Sequence, residues 1–299
     1  MLRRVQKYIR DHALLQRGER VLVCVSGGAD SIALLDVLVR GGFECVVAHC
    51  NFHLRGSESD RDEQAVMSCP VLYRGGDRRS IPLYIKHFDT TSYAHIHHLS
   101  IEMAARELRY RWFAQLAQAT DCKAIAVAHH QNDQAETLLL NLKRGTGLRG
   151  LCGMRPKSMN PVVAEGVPLI RPLLCTTRDY IEHYLRDIRH LSWVNDSTNS
   201  DTRLLRNAVR EQLQTYSKAE IEHLASTAEH LQGYVDWIEQ RDTCEARRVQ
   251  LYEQLRPYHF PQVDEIFEAL QRGEGGKIFY SPTHKATIKQ GKLCVTTVS

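Results

Sequence analysis

Short apolar runs alternate with amphipathic segments along the first two thirds of the chain. The apolar runs occupy residues 21–25, 43–49, 82–88 and 123–128, and they have the length of buried strands. The clearest helical period runs from Ser100 to Thr120, where apolar residues recur on one face. Strands that alternate with helices predict a parallel sheet with helices on both faces. This part of the chain is therefore predicted to be a Rossmann-like α/β fold.

The pattern changes after one more strand, predicted at 167–171, and a helix, predicted at 177–187. Helical periods then continue from Arg206 to Arg248, and three short strand candidates follow at 277–280, 284–288 and 292–296. We therefore predict two domains. A catalytic α/β domain covers residues 1–205, and a smaller, mainly helical domain with short C-terminal strands covers residues 206–299.

The first strand leads directly into a polar loop and a helix, with the sequence Ser26-Gly27-Gly28-Ala29-Asp30-Ser31. The glycines let backbone N–H groups turn toward an anion, the serines offer hydroxyl donors, and the helix start contributes its positive dipole end. Asp30 would repel a bare phosphate, so its place predicts Mg²⁺ between the carboxylate and the phosphates of a nucleotide. A helix cap would explain one polar residue but not the whole set. The Walker and dinucleotide patterns are absent from this turn.

Composition narrows the class of protein only a little. The chain of 299 residues is 43% hydrophobic, which suffices for one full core and a second small one. Nine cysteines without a C-x-x-C pair, and no secretory leader, predict reduced thiols in a cytoplasmic protein. No apolar run approaches the roughly 18 residues of a membrane span, so we expect no membrane partner. The net charge of +4 permits a polyanionic partner without requiring one.

Two acids follow the fourth predicted strand. Asp133 and Glu136 are three residues apart in the first turn of a predicted helix, so both face the same cleft as the loop. Two carboxylates there could hold Mg²⁺ or an ammonium group. Compensation of the helix dipole, worth about 0.3–1 kcal/mol for each acid, is the alternative. His129 and His130 precede the acids and are candidate helpers, and a His-His-x-x-Asp metal site is a further alternative.

Several arginines are candidates for binding phosphate or a nucleic-acid backbone. Arg106 and Arg109 share one face of a predicted helix and could bind phosphate bidentately, although a solvated face is equally consistent with their spacing. Residues 143–153 bring four glycines and three cations together, which suits a mobile basic loop on RNA or a closing lid. The candidates for a polyanion are Arg55, Arg144, Arg149, Arg206 and Arg210. A solvated loop or a structural linker remains the alternative for each segment.

Together these segments resemble the tRNA(Ile)-lysidine synthetase family, within the N-type ATP pyrophosphatases known as the PP-loop superfamily. The segments that carry the resemblance extend from about residue 20 to residue 210. In chain order they are Ser26–Ser31, His53–Arg55, Ala105–Tyr110, His129–Thr137, Arg144–Met154, Arg171–Leu174, and Asn195–Asn199 followed by Arg206–Arg210. The ordered set is more specific than the glycine loop, which many enzymes share.

The resemblance implies an ATP-dependent carbon–nitrogen ligase that joins lysine to the wobble cytidine, position 34, of a CAU-anticodon tRNA(Ile). ATP would adenylate O2 of the cytosine with release of pyrophosphate, and the lysine ε-amine would then attack C2 and expel AMP. Codon reading would change from AUG to AUA. A 2-thiolase, a small-metabolite amide ligase and a non-catalytic nucleotide-binding or RNA-binding module remain alternatives, and a homodimer stays open.

By the same resemblance, the residue roles divide into three groups. Asp133 and Glu136 would recognise L-lysine, and Arg106 or Arg109 would contact ATP or the adenylate. With Asp30 these four form the catalytic set. ATP and Mg²⁺ would bind at Ser26–Ser31, with Asp30 as the metal ligand, and the tRNA would contact Arg55, Arg144, Arg149, Arg206 and Arg210.

Overall fold

The computed structural model describes residues 1–73, 80–160, 162, 166–194, 204–239, 244–289 and 291–298. The chain forms two compact units. Residues 1–140 and 153–226 make up the first unit, and residues 141–152 and 227–299 make up the second. The helices are α1 Leu2–Asp11, α2 Ala29–Arg40, α3 Ser57–Met67, α4 Thr90–Ile96, α5 Ile101–Ala119, α6 Gln131–Arg144, α7 Leu148–Leu151, α8 Arg178–His183, α9 Leu204–Gln214, α10 Lys218–Glu239, α11 Cys244–Leu255 and α12 Val263–Gln271.

The first unit is built on a six-stranded sheet in the order β3-β2-β1-β4-β6-β5. Its strands are β1 Arg20–Cys24, β2 Glu44–Asn51, β3 Leu83–His87, β4 Ala124–Ala126, β5 Lys157–Ser158 and β6 Leu169–Ile170. Every neighbouring pair is parallel except β5 and β6, which run antiparallel. The predicted parallel sheet is confirmed, with a short antiparallel edge strand that the sequence pattern did not predict.

Side chains of the central strands alternate between two cores. Val21 and Val23 of β1 pack in one core with α1 and α2, whereas Leu22 packs in the other with Phe113 and Ala117 of α5. This alternation follows from the period of two along a strand. Because both faces are covered, the strands read as continuous apolar runs in the sequence. The predicted placement of helices on both faces is confirmed.

The second unit contains a three-stranded antiparallel sheet in the order β7-β8-β9. Its strands are β7 Ile278–Tyr280, β8 His284–Lys289 and β9 Lys292–Thr297. Ala286 of β8 packs with Leu255 of α11 and Ile266 of α12 in a separate core. The predicted helices and short C-terminal strands are therefore observed. Among the described residues, no helix is long and apolar enough to cross a membrane.

The two units divide later in the chain than the boundary that we predicted at 205/206. Val209 and Leu213 of α9 pack against Ala135 and Leu140 of α6, so the residues just after the predicted boundary stay with the first unit. The α9 face that makes this contact carries its apolar residues four apart, as expected for a helix packed on a helix. Packing of α9 on α6 also brings Arg206 and Arg210 to the first unit.

Candidate active site

The loop between β1 and α2 folds back on the start of the helix. Gly27 has a φ of +96°, and a Cβ there would lie 3.4 Å from the backbone oxygen of Asp62. The Ser31 hydroxyl donates to the carbonyl of Gly28 over 2.8 Å and accepts from the backbone N–H of Ser26 over 3.2 Å. N–H groups in the first turn of a helix have no acceptor within the helix, so those of α2 are available to an anion. The loop has the geometry of a phosphate site.

Asp30 lies in this first turn, and its two carboxylate oxygens have different surroundings. Oδ2 accepts a hydrogen bond from Nη1 of Arg178. Oδ1 is buried without a hydrogen-bond partner among the described residues, 3.6 Å from Nε2 of His130. Burial raises the pKa of Asp30, but the nearby imidazole of His130 and the charge of Arg178 outweigh burial and leave the pKa below its ordinary value.

Mg²⁺ prefers ionised carboxylate ligands, and Oδ1 of Asp30 accepts no hydrogen bond among the described residues, so Asp30 fits the predicted metal role. Among the described residues, no three His, Cys, Asp or Glu side chains are grouped so that they could hold a metal ion. The alternative His-His-x-x-Asp site therefore lacks support. A magnesium ion at Asp30 would need the phosphate oxygens of the nucleotide as further ligands.

The two histidines after β4 have different environments. Burial lowers the pKa of His129 to about 4, and Asp133 only partly opposes this effect. Burial also lowers the pKa of His130, but the negative charges of Asp133 and Asp30, 3.5 and 3.6 Å from its Nε2, outweigh burial, and the pKa is raised. His129 is therefore neutral at pH 7, while His130 lies between two carboxylates.

Asp133 and Glu136 both line the cavity beside the loop, as predicted, but their contacts differ. Oδ2 of Asp133 accepts from the backbone N–H of His130 over 2.9 Å, and its side chain is 33% exposed. Glu136 is buried, with Oε1 bound to Nε of Arg206 and Oε2 bound to Nε of Arg210. Asp133 is thus both a helix cap and an accessible acid. Glu136 instead holds two of the arginines that the sequence offered as polyanion contacts.

The cavity beside the loop measures about 790 Å³ and is lined mainly by polar and charged side chains. It includes the loop residues Ser26, Gly28 and Asp30, the acids Asp62, Asp133 and Glu136, and the arginines Arg55, Arg178 and Arg210. Arg55 donates from Nη2 to Oδ2 of Asp62 over 2.7 Å. The cavity therefore combines a phosphate loop with both carboxylates and guanidinium groups.

A second cavity of about 330 Å³ adjoins the same loop and is more apolar. Cys24, Cys50, Phe52 and Arg109 are among its lining residues, and the Arg109 guanidinium lies 5.1 Å from the centroid of the Phe52 ring. Arg106, one turn earlier on α5, lies over the ring of Tyr110 instead. Burial raises the pKa of Cys50 to about 12 and that of Cys24 well above its ordinary value, so both remain thiols.

The remaining predicted residues lie elsewhere. Arg144 and Arg149 belong to the second unit, where the backbone N–H of Arg149 lies 3.5 Å from Oε1 of Glu253. The segment 195–199 lies outside the described residues. Sequence reasoning missed Arg178, the first residue of α8, although the segment that follows a parallel strand such as β6 is where functional side chains collect.

The fold and this loop define a nucleotide-binding α/β enzyme of the PP-loop class. A family model described as a PP-loop domain matches residues 1–217, and a model described as a TilS substrate binding domain matches residues 237–298. Among solved structures, the U34-tRNA thiolase NcsA of Methanococcus maripaludis has a TM-score of 0.59 at 18% identity, covering 77% of this chain and 78% of that chain. This likeness shows a shared fold alone.

Relatives with established names identify the family. The tRNA(Ile)-lysidine synthase of Parabacteroides distasonis is 40% identical, with coverage of 100% of this chain and 70% of that protein. The enzyme of the same name from Porphyromonas gingivalis is 41% identical and is covered to 68% of its length. The chain belongs to the tRNA(Ile)-lysidine synthase family and is an ATP-dependent ligase. The resemblance drawn from the sequence motifs is confirmed.

Proposed function

We propose that this enzyme ligates L-lysine to C2 of the wobble cytidine, position 34, of a CAU-anticodon tRNA(Ile), and so changes codon reading from AUG to AUA. The observation that carries the proposal is the cavity of about 790 Å³, in which the phosphate loop with Asp30 adjoins Asp133 and Glu136. A nucleotide and a cationic amine can meet there. The names of the relatives supply the tRNA and the product. We place the reaction in the cytoplasm, where tRNA and ATP are available.

The first step activates the cytosine. O2 attacks the α-phosphorus of ATP, a bond from O2 to phosphorus forms, and pyrophosphate leaves. The loop residues Ser26–Ser31 orient the phosphates, and Asp30 would hold Mg²⁺, which would neutralise negative charge on the pyrophosphate. Arg109 lines the second cavity beside the same loop and is our candidate contact to the nucleotide. Arg106, one turn earlier on α5, is assigned a supporting contact to the nucleotide.

The second step forms the carbon–nitrogen bond. The neutral lysine ε-amine attacks C2, the C2–O2 bond breaks as AMP leaves with O2, and the proton that the amine loses passes to water. Asp133 is the acid that is open to the incoming ammonium group, and Glu136, only 8% exposed and bound to two arginines, is the second acid that we assign to lysine. Desolvation in the cavity lowers the pKa of an ammonium group and favours its neutral, nucleophilic form.

The arginines divide between the two units in this proposal. Arg55, Arg206 and Arg210 lie in the first unit, and we assign them to phosphates of the anticodon arm. Arg144 and Arg149 lie in the second unit and are further candidates for the tRNA backbone. Thiolation is disfavoured because burial raises the pKa of Cys24 and Cys50, the thiols next to the loop, and a thiol is a poor nucleophile.

Incorporation of labelled lysine into a CAU-anticodon tRNA(Ile) transcript tests the proposal. We expect label to enter only with ATP, and not when the wobble cytidine is changed to uridine. Asp133→Asn is expected to lower incorporation strongly, whereas Asp121→Asn, an exposed acid paired with Lys123, serves as the matched control. ATP cleavage to AMP with tRNA but without lysine transfer would contradict the proposed nucleophile. Cleavage that needs no tRNA would point to a small-molecule ligase.

A further inference from the structure

Arg178 connects the phosphate loop to the helix that follows β6. Its Nη1 donates to Oδ2 of Asp30, and its Nε donates to Oε1 of Glu182 over 2.7 Å. Its backbone N–H donates to Oδ1 of Asn132 over 3.0 Å, so the start of α8 is fixed to the start of α6. The side chain is 36% exposed. The guanidinium can therefore turn within the cavity while its backbone stays in place.

The charges around this guanidinium are already paired. Within the described lining of the cavity, each arginine meets a carboxylate: Arg55 meets Asp62, Arg210 meets Glu136, and Arg178 meets Asp30. An entering triphosphate brings several negative charges and must draw cations away from these acids. Arg178 is distinct because its partner belongs to the phosphate loop itself. Its departure would add a cation to the phosphates and uncover the loop carboxylate at the same time.

We propose that Arg178 leaves Asp30 when ATP binds and donates to the outer phosphates, which frees the Asp30 carboxylate for Mg²⁺. The inference rests on the ATP-dependent activity proposed above. Each charge finds a new opposite partner in this exchange, since the guanidinium meets phosphate oxygens and the carboxylate meets the metal. Glu182 keeps the guanidinium aligned through Nε, and the remaining N–H groups serve the phosphates. Arg178 is thus assigned as a direct ligand of the group that leaves as pyrophosphate.

A purely structural ion pair is the competing explanation, and the two explanations differ once Asp30 is neutral. If Arg178 only holds Asp30 in position, its removal has no further effect in an Asp30→Asn background. If Arg178 binds the phosphates, its removal still lowers the affinity for ATP in that background. A double-mutant cycle therefore separates direct contact from action through Asp30.

The test measures binding of labelled ATP and labelled AMP by equilibrium dialysis with MgCl₂, without tRNA or lysine. Arg178→Gln is expected to weaken ATP binding about tenfold, as for loss of one charge-assisted hydrogen bond, and AMP binding by less than about twofold. Asp30→Asn/Arg178→Gln is expected to bind ATP more weakly than Asp30→Asn alone. Arg186→Gln is the matched control, because Arg186 lies on the same helical run, 3.6 Å from Glu182. It should leave both affinities unchanged.

Three results would overturn the proposal. They are wild-type ATP affinity in Arg178→Gln, an equal loss of ATP and AMP affinity, and no additional loss in the double variant. Thermal unfolding of each variant shows whether it is folded, and Arg178→Lys, which keeps the charge, should recover part of the ATP affinity. Failure of lysine transfer with this ATP-binding pattern intact would contradict the proposed function and leave the role of Arg178 standing.

Discussion

Nε of Arg210 donates to Oε2 of Glu136 over 2.8 Å. The carboxylate is buried and its other oxygen is bound to Arg206, so one of the two acids proposed for lysine is joined to two arginines proposed for tRNA. A buried carboxylate that loses such partners is strongly destabilised. Binding of the lysine ammonium group to Glu136 therefore requires that at least one of the two arginines releases the carboxylate. Both arginines lie on α9, and movement of either one toward a tRNA phosphate would expose negative charge to lysine.

Glu136→Gln tests the carboxylate while preserving its shape. We expect the KM for lysine to rise about tenfold, as for one lost charge-assisted bond, with the KM for ATP unchanged. Steady-state lysine transfer at varied lysine and at varied ATP measures both constants. Glu107→Gln is the matched control, since Glu107 also pairs with an arginine, Arg111, on α5. Equal increases in both KM values would show that Glu136 supports the whole site instead of lysine alone.

Arg210→Gln tests the arginine that donates a hydrogen bond to Glu136. We expect tRNA affinity to fall and its dependence on salt to weaken by about one phosphate contact. The KM for lysine is expected to fall a few fold, because Glu136 retains only Arg206 as a competing cation. Measurements of tRNA binding at several salt concentrations check the first outcome. Lysine titrations at saturating tRNA check the second. A raised KM for lysine would instead show that Arg210 holds Glu136 in its productive position.

A buried histidine on β2 gives a prediction for pH. Burial lowers the pKa of His49 below its ordinary value, although the carbonyl of Val25, 2.8 Å from Nδ1, opposes this effect. The unfolded chain therefore takes up the proton at higher pH than the folded protein does. The contribution of His49 to the free energy of unfolding is complete above the ordinary pKa and is lost as pH falls toward the lowered value.

His49→Asn isolates this contribution, because the asparagine amide keeps a donor near the position of Nδ1 but does not titrate. Urea unfolding of both proteins between pH 7.5 and pH 5, a range that spans the ordinary histidine pKa of about 6.5, measures the difference. We expect the wild-type protein to lose more free energy of unfolding over this range than the variant. Comparison with the variant removes the effect of His130, whose raised pKa acts in the opposite direction. Parallel curves would contradict the prediction.

The loop and the two ion pairs show what sequence could and could not predict. The loop follows from the chain itself, because a strand, two glycines and a helix are contiguous from Val21 to Leu38. Asp30 and Arg178 are 148 positions apart, and Glu136 and Arg210 are 74 positions apart. No local period relates such residues, since their meeting depends on the order of strands and on the packing of α9. Motif spacing therefore named Asp30, Glu136 and Arg210, but it missed Arg178 and both pairings.

Gly27→Ala tests the geometry of the loop. The residue has a φ of +96°, and its Cβ would lie 3.4 Å from the carbonyl oxygen of Asp62. Gly18 has a φ of +85° with nothing within 4 Å of an added Cβ, so Gly18→Ala carries similar backbone strain away from the loop. Each variant is expected to lose about 1–2 kcal/mol of unfolding free energy. Only Gly27→Ala should also weaken ATP binding, because relief of its backbone strain moves the N–H groups that face the phosphates. Urea unfolding and ATP binding check both effects, and equal ATP affinity in the two variants would show that the loop tolerates an ordinary backbone conformation.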